Sequence, residues 1–453
     1  MKRIYSSILL YASCGLLCVN VNATTDDELK KRIEVLEKSD KQKTAEINRL
    51  KNDNVITGAG LNQLIQSFDA FDDRFHIDGF MSIGVGTIDE NDVEYGRTTL
   101  NGGGGPDFNA DTFLGVQMAF TMSDAAEVVT QLVSKGTGQD AQVDAEWFYL
   151  NYRFDDNISF QLGRIRAPIY MLSDYKEVGF TYPWVRPPLE VYDAVPVDHS
   201  QGAKVHYRNF FGDYEFHAQL FYSSSIDKGK VSNFDADRVR GSVFDIGQEN
   251  WMVGFGIFDA HVKVELTDEN AIALTEGLAT ISGILGVDTP VFIDLNDEVV
   301  SLTNVHFRWD DGDWQVLAEA QQADYEGFFA DFDSYYVSAG RRFGKWFPYL
   351  LHMGNRTTDD DERDAIISMV TPLIPLSSNV ARLANGINSM SFESKSYVVG
   401  VGYEITPRIK AKFETQLVTD MNDTLGPFKL VNGNSAPISD DIWIYSFVID
   451  TVF

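Results

Sequence analysis

The stretch that decides the fold is the C-terminal sequence Trp443-Ile444-Tyr445-Ser446-Phe447-Val448-Ile449-Asp450-Thr451-Val452-Phe453. Its odd-numbered positions are mostly aromatic or apolar, whereas its even-numbered positions include the polar Ser446 and Asp450. Successive side chains of a β-strand point to opposite faces of the strand. The stretch is therefore predicted to form a strand with one aromatic, apolar face and one face that accepts polar groups.

The same period of two recurs towards the N-terminus as far as Arg74. Just after Arg74 the alternating positions are Phe75, Ile77, Gly79, Met81, Ile83 and Val85. Repeated amphipathic strands separated by turn residues are the sequence signature of a membrane barrel with an apolar outside and a polar inside. Residues 74–453 are therefore predicted to form an all-β, transmembrane antiparallel β-barrel.

A soluble β-sandwich is the alternative architecture for such strands. Aromatic residues near the ends of the segments favour the barrel, because membrane barrels carry aromatic girdles at both interfaces. The residues concerned are Tyr207, Tyr214, Tyr222, Trp251, Trp309, Trp314, Phe347 and Trp443.

The connections between the predicted strands alternate in length. Short turns of Asp, Asn, Gly and Pro lie at 123–124, 155–157, 209–213, 310–313, 344–345 and 406–407. Longer segments lie between them, among them 224–250. Membrane barrels have short turns at one end and long loops at the other, and counting hairpins by that rule gives about sixteen strands. A turn near Asp259 is undefined, so a count of about fourteen to eighteen strands stays open.

Residues 1–23 have the features of a secretory signal peptide. A basic start precedes a short apolar stretch, and a small-residue cleavage site ends at Ala23. Cleavage there removes Cys14 and Cys18, the two cysteines of the chain, and with them any disulfide. Lipid attachment at Cys14 is the alternative.

Residues 24–57 are predicted to form a short α-helical coiled coil, and residues 58–73 a linker. The apolar positions follow the spacing of a heptad repeat: Leu29, Ile33, Leu36, Ile47 and Leu50. A helix this polar needs partner helices to persist. A solvated helical spacer is the alternative.

The chain has 453 residues and a formal net charge of -30, which makes it a poor partner for nucleic acid. Its external segments are rich in carboxylates without the spacing of a calcium loop. We therefore expect solvated loop charge there, with no metal site and no cofactor. Neither G-x-S-x-G nor H-E-x-x-H occurs, so we do not expect an enzyme.

With its terminal phenylalanine and its alternation of short turns and long segments, residues 74–453 resemble the trimeric porins of Gram-negative bacteria. The coiled coil is similar to the extension of some porins for dicarboxylates, phosphate or sucrose. The resemblance implies a homotrimer in the bacterial outer membrane, in contact with lipid and lipopolysaccharide, with its coiled coil in the periplasm. It implies passive diffusion of small hydrophilic solutes, and an assembly signal at Tyr445, Phe447 and Phe453.

The resemblance also places a pore constriction in the third long segment, residues 167–199, which follows the fifth strand. Prolines and aromatic residues stiffen this segment, and its charges of both signs are suited to hold a fixed field across a pore. The predicted constriction residues are Tyr170, Asp174, Tyr175, Lys176, Glu177, Arg186 and Glu190. An external loop over a neighbouring subunit is the alternative.

Strand parity predicts which charged side chains face the lumen. A charge that faces lipid costs about 2–4 kcal/mol at mid-membrane, so charged positions belong inside. These residues are Lys204, His206, Arg208, Arg308, Glu319, Arg342, Lys410 and Lys412. By resemblance alone we add Arg164 and Arg166, although they share the parity of Leu162. The basic surplus predicts a preference for anions; charges that merely keep the pore wet are the alternative.

A second function is compatible with the same sequence. The barrel could be a structural element of the outer membrane, tethered through its periplasmic coiled coil. Deletion of residues 24–57 separates the two hypotheses, because damage to the envelope with intact conductance would identify tethering.

Overall fold

A computed structural model describes residues 74–96, 100–103, 105–136, 142–193, 200–228, 232–266, 297–326, 329–358, 391–422, 424–430 and 439–453, with the single residues 30, 31, 34, 38, 41 and 372. The predicted signal peptide and linker lie outside the described residues, as does the coiled coil apart from five single helical positions. From Arg74 onward the chain forms one unit, Arg74–Phe453. In the described part of the chain, no helix is long and apolar enough to cross a membrane.

Sixteen antiparallel strands form a closed barrel in the order β1-β19-β17-β16-β15-β14-β13-β12-β11-β10-β9-β8-β7-β6-β5-β4. Their bounds are β1 Phe75–Ile88, β4 Phe113–Ser123, β5 Ala126–Lys135, β6 Gln142–Arg153, β7 Ile158–Ile165, β8 Ser200–Phe211, β9 Tyr214–Lys228, β10 Ser232–Gln248, β11 Trp251–Leu266, β12 Glu298–Asp310, β13 Trp314–Tyr325, β14 Phe332–Arg341, β15 Trp346–Thr357, β16 Glu393–Thr406, β17 Ile409–Thr419 and β19 Ile442–Val452. The prediction of an all-β barrel of about sixteen strands is confirmed.

The first and last barrel strands close the sheet. β1 pairs with β19 from Phe80 opposite Val452 to Ile88 opposite Ile444. The pairing continues to the last residue, because Gly79 and Phe453 exchange two backbone hydrogen bonds of 2.7 and 2.9 Å. Closure leaves no unpaired edge, which is what a sheet in lipid requires.

The two faces of the wall differ as the alternation predicts. Outward-facing apolar side chains are strongly exposed, as at Leu350 (62%) and Val399 (63%). Inward-facing neighbours of these strands are buried, as at Leu351 and Val398. Phe347 departs from the predicted aromatic girdle: it lies on the inner face, on the same parity as the buried Leu351, because its ring packs against inward-facing Tyr349.

The turn predicted near Asp259 was wrong, as was the long loop predicted over 224–250. β10 and β11 are joined by a turn at Glu249 and Asn250, and Asp259 lies within β11, opposite Ser301. β10 is 17 residues long. Its first half carries Asp235, Asp237, Arg238 and Arg240, and a shift in register between Asp237 and Arg240 interrupts the alternation. This half therefore resembles a loop in sequence, although it is hydrogen-bonded on both sides.

A small sheet formed by the first and the eighth of the long connections lies at the long-loop end. It pairs β2 (Val93–Tyr95) with β3 (Leu100–Asn101) and with β18 (Phe428–Leu430). Its buried side chains form one cluster with Leu189, which belongs to the connection between β7 and β8. The sheet therefore packs on the segment that lies inside the barrel.

Candidate pore constriction

The inner loop, which we define as residues 166–193, leaves β7 and runs inside the barrel. Gly163 has a φ of 140°, and a Cβ there would collide with the carbonyl oxygen of Phe148. Glycine is the residue that accepts such a backbone and such a close approach. Arg166 is buried and forms an ion pair with Glu146 on β6. The loop therefore begins at a fixed point on the wall.

Glu319 on β13 holds two distant points of the inner loop. One of its oxygens accepts hydrogen bonds from the Met171 amide (2.9 Å) and from Asn304 Nδ2 (2.8 Å). The other oxygen accepts a hydrogen bond from the Tyr192 hydroxyl (2.8 Å). Glu319 stands on the inner face of β13, and it fastens the loop to the wall.

Trp184 is the apolar anchor of the inner loop. Its side chain is fully buried, and its indole Nε1 donates a 2.9 Å hydrogen bond to Ser338 Oγ on β14. The ring packs edge-on against Tyr336 at 5.3 Å and stacks with Tyr182 at 6.0 Å. A satisfied, buried indole fixes both the position and the orientation of this part of the loop.

Two lysines of β17 fasten the tip of the inner loop. Lys412 lies 2.8 Å from Asp450 and donates to the carbonyl oxygens of Gly179 (2.5 Å) and Trp184 (2.7 Å). Lys410 donates to the Phe180 carbonyl oxygen at 2.8 Å. A Cβ on Gly179 would lie 2.5 Å from Asp450 Oδ1, so this approach of loop to wall requires glycine.

Arg186 forms a buried ion pair with Asp111 of the first connection. Its guanidinium donates to both Asp111 oxygens, at 3.0 and 2.6 Å, and to Ser446 Oγ at 2.9 Å. It also lies 5.7 Å from the centre of the Tyr95 ring. Burial alone lowers the pKa of Arg186, but the Asp111 carboxylate outweighs burial and raises it above its ordinary value. Arg186 is therefore a charged anchor.

Glu190 lies in a short helix, α1 (Leu189–Tyr192), and is fully buried. It accepts a hydrogen bond from the Ser396 hydroxyl on β16. Burial raises the pKa of Glu190 to about 7, against the lowering effect of that hydrogen bond. Its protonation therefore changes near neutral pH.

The remaining predicted constriction residues fall into two groups. Tyr170, Tyr175 and Lys176 pack within the inner loop, whereas Asp174 and Glu177 contact the barrel wall. Tyr170 is buried, and the centre of its ring lies 4.7 Å from that of Tyr192. Both rings belong to the apolar cluster inside the barrel, and the half-buried Tyr175 packs against that cluster. The Lys176 carbonyl accepts a 3.0 Å hydrogen bond from the Tyr182 hydroxyl. These contacts stiffen the loop.

Asp174 and Glu177 reach the wall on the far side of the inner loop. Asp174 lies 3.4 Å from Lys204 Nζ on β8, and its side chain is 56% exposed. Partial desolvation within the barrel by itself would raise the pKa of Asp174, but Lys204 and then His206 lower it below its ordinary value. Glu177 lies 3.1 Å from Lys135 on β5 and 3.5 Å from Arg166. Charges of both signs thus meet where the loop crosses the lumen.

Strand register places most of the predicted lumen residues on the inner face. Arg308 and His217 border one inner cavity with Asp245. The strand residues that share the inward parity are Lys204, His206, Arg208, Arg308, Glu319, Lys410 and Lys412. Arg342 follows the last residue of β14 and borders an inner pocket with Phe347. Arg208 forms an ion pair with Glu215, and Arg342 lies 3.8 Å from Glu404. These two arginines lie at the short-turn end, away from the main anchors of the loop.

Arg164 is the exception, and its assignment to the lumen was wrong. It stands opposite Phe148 on the parity of Leu162, and both of these side chains are exposed on the outer face. It borders a hollow with Gly163, Gln201 and Gly202. Gly163 does not reverse the alternation, whereas Arg166 lies beyond the strand end and turns inward.

Several residues that anchor the inner loop were not predicted from the sequence. Asp111 is separated from Arg186 by 75 positions, and Ser396 is separated from Glu190 by 206. Glu146 lies where the pairing of β5 and β6 shifts register. The alternation along β16 places Ser396 on the inner face, but its contact with Glu190 depends on where the loop crosses the barrel.

No protein-family model matches the chain, and no curated protein matches it in sequence. Among solved structures, an anion-selective porin from Comamonas acidovorans is similar in fold, with 10% identity, a TM-score of 0.50, and coverage of 84% of this chain and 99% of that one. The chain has the fold of an outer-membrane porin. Salmonella typhi OmpF, solved with daunomycin, gives 10% identity, a TM-score of 0.50, and coverage of 84% and 97%. The porin fold is thus shared over the barrel.

Proposed function

We propose that this protein is a porin of the bacterial outer membrane, a passive diffusion channel for small hydrophilic solutes. The observation that supports this proposal is the inner loop, which crosses the lumen and is held by buried contacts with several strands. A fixed loop with charges facing the opposite wall sets both the width and the field of a pore. In this proposal the short turns and residues 24–57 face the periplasm.

We further propose that the channel prefers anions. Inward-facing Lys204, Arg308 and Lys410 contribute positive charge along the strands. Asp174 contributes negative charge opposite Lys204. The preference depends on this local balance and not on the net charge of the chain, because close groups dominate the field in a narrow pore.

We also propose a homotrimer, with the outer hollow around Arg164 covered by a neighbouring copy. Arg164 Nε is buried without a hydrogen-bond partner among the described residues. A guanidinium that faced lipid at mid-depth would cost about 2–4 kcal/mol. A protein neighbour with polar groups removes that cost.

Planar-bilayer recording of the full chain, refolded in detergent, tests the function. We expect stepwise conductance and, in a salt gradient, a reversal potential of the sign for anion preference. Asp174→Lys should increase that preference, because it removes the negative charge opposite Lys204. Asp156→Lys, in a short turn, is the control with the same charge change. Absence of conductance from folded protein would overturn the proposal.

A further inference from the structure

A pocket lies beneath the inner loop, on its short-turn side. Its roof is formed by Thr181 and Tyr182 of the loop, and its walls by β15, β16 and β17. We define the basic pocket by Arg342, Lys345, Lys410, Glu404, Phe347 and Tyr403. It is separate from the contacts of Asp174 and Glu177 on the other side of the loop.

The basic pocket has a surplus of positive charge. Arg342, Lys345 and Lys410 stand against the single carboxylate of Glu404, a formal balance of three to one. The Glu404 carboxylate lies 3.8 Å from Arg342, too far for a hydrogen bond. Lys412 also borders the pocket, but Asp450 neutralises it at 2.8 Å. Three cations therefore face a space with one counter-charge.

The three cations retain donors for a ligand. Lys410 donates to the Phe180 carbonyl at 2.8 Å, and Lys345 donates to the Ile405 carbonyl at 3.1 Å. Arg342 Nε donates to the Gly312 carbonyl at 3.1 Å. An ammonium has three N–H donors and a guanidinium has five. These contacts orient the cationic groups without neutralising their charge.

Aromatic rings give the pocket an apolar side. The Arg342 guanidinium lies 5.6 Å from the centre of the Phe347 ring, which lines the pocket. Lys410 Nζ lies 4.0 Å from the centre of the Phe180 ring, which stands beside the pocket. Tyr182 of the inner loop adds a second ring to the lining, whereas the Tyr403 ring packs against Trp346 on the outer face. Convergent cations beside aromatic rings suit a ligand with an anionic head and an apolar body.

We propose that the basic pocket binds monocarboxylates with an apolar or aromatic body, as a solute subsite on the periplasmic side of the inner loop. The proposal rests on the channel function proposed above. A carboxylate matches the planar fork of Arg342 and the ammonium of Lys410. The rings of Phe347 and Tyr182 favour an anion with an apolar body over a small hydrated anion such as phosphate, which has no apolar surface to bury against them.

Calorimetric titration of benzoate into the full chain in detergent tests the pocket independently of conductance. We expect saturable binding of benzoate and none of benzamide, its neutral analogue. Lys410→Gln should weaken benzoate binding about tenfold, the usual effect of losing one hydrogen bond to a charged group. Lys395→Gln is the matched control, because it removes the same charge from the outer face of β16. Heat-modifiable migration on gels verifies that each variant is folded.

Bilayer recording distinguishes failure of this inference from failure of the proposed function. Block by benzoate from the short-turn side, weakened by Lys410→Gln, supports both. Normal conductance with no calorimetric binding, or with binding that Lys410→Gln leaves unchanged, overturns the subsite and leaves the channel. Benzoate binding to a protein that never conducts retains the pocket and overturns the channel.

Discussion

Glu190 shows how one buried side chain can make the inner loop sensitive to pH. Its pKa rises from 4.5 to about 7 through burial. Each pKa unit corresponds to about 1.4 kcal/mol, so ionising the docked carboxyl costs on the order of 3 kcal/mol more than in water. The neutral carboxyl therefore favours docking below pH 4.5, and this advantage is lost as the pH rises through about 7.

We predict that loop excursions become more frequent as the pH rises from 5 to 8. Glu190→Gln should remove this dependence, because the amide stays neutral and can still accept a hydrogen bond from Ser396. Current noise in planar bilayers at each pH measures the excursions. Glu326→Gln, at an exposed position, should behave as the unsubstituted chain. Equal pH dependence in both variants would contradict this role of Glu190.

At the scale of the element, the inner loop acts as a packed part of the barrel. It has little regular structure beyond one turn of 3₁₀ helix at Gly179–Thr181 and α1. Its stability comes from side chains that contact the wall, including Trp184 and Arg186. The small sheet of β2, β3 and β18 adds contacts through Leu189.

Trp184→Ala should release the inner loop without unfolding the barrel. Truncating a buried aromatic side chain typically costs about 3–5 kcal/mol. The barrel's backbone hydrogen bonds do not depend on this side chain, so its thermal unfolding should change little. Hydrogen exchange of residues 166–193, followed by mass spectrometry, should show faster exchange.

Ser338→Ala provides the graded comparison for Trp184→Ala. It removes only the hydrogen bond to the indole and should cost about 1 kcal/mol. Its exchange rates should therefore lie between those of the unsubstituted chain and Trp184→Ala. Unchanged exchange in Trp184→Ala would show that other contacts hold the loop.

At the scale of the whole molecule, Arg164 tests the proposed trimer. Arg164→Leu makes the outer hollow apolar. If lipid covers the hollow, the substitution should stabilise the barrel; if a second copy covers it, the oligomer should dissociate more readily. We predict the second outcome, as a lower dissociation temperature on semi-native gels. Arg356→Leu, on β15 far around the barrel, is the control. Equal dissociation temperatures in the two variants would place the interface elsewhere.

The alternation of side chains by itself determined the fold. It depends only on neighbours along one strand, and so Tyr445 and Phe447 could be assigned to one face without a structure. The short turns supplied the approximate strand count. The prediction went wrong over 224–250 and near Asp259, because charged residues and a shift in register within β10 interrupt the alternation that separates strand from loop.

Only the tertiary structure decided which residues meet inside the barrel. The contacts of Arg186 with Asp111 and of Lys410 with Phe180 join segments 75 and 230 positions apart. Such pairs depend on strand register and on the path of the inner loop, and neither leaves a periodic trace in the sequence. Arg164, by contrast, followed its own parity to the outer face, because side chains alternate along a strand up to its end.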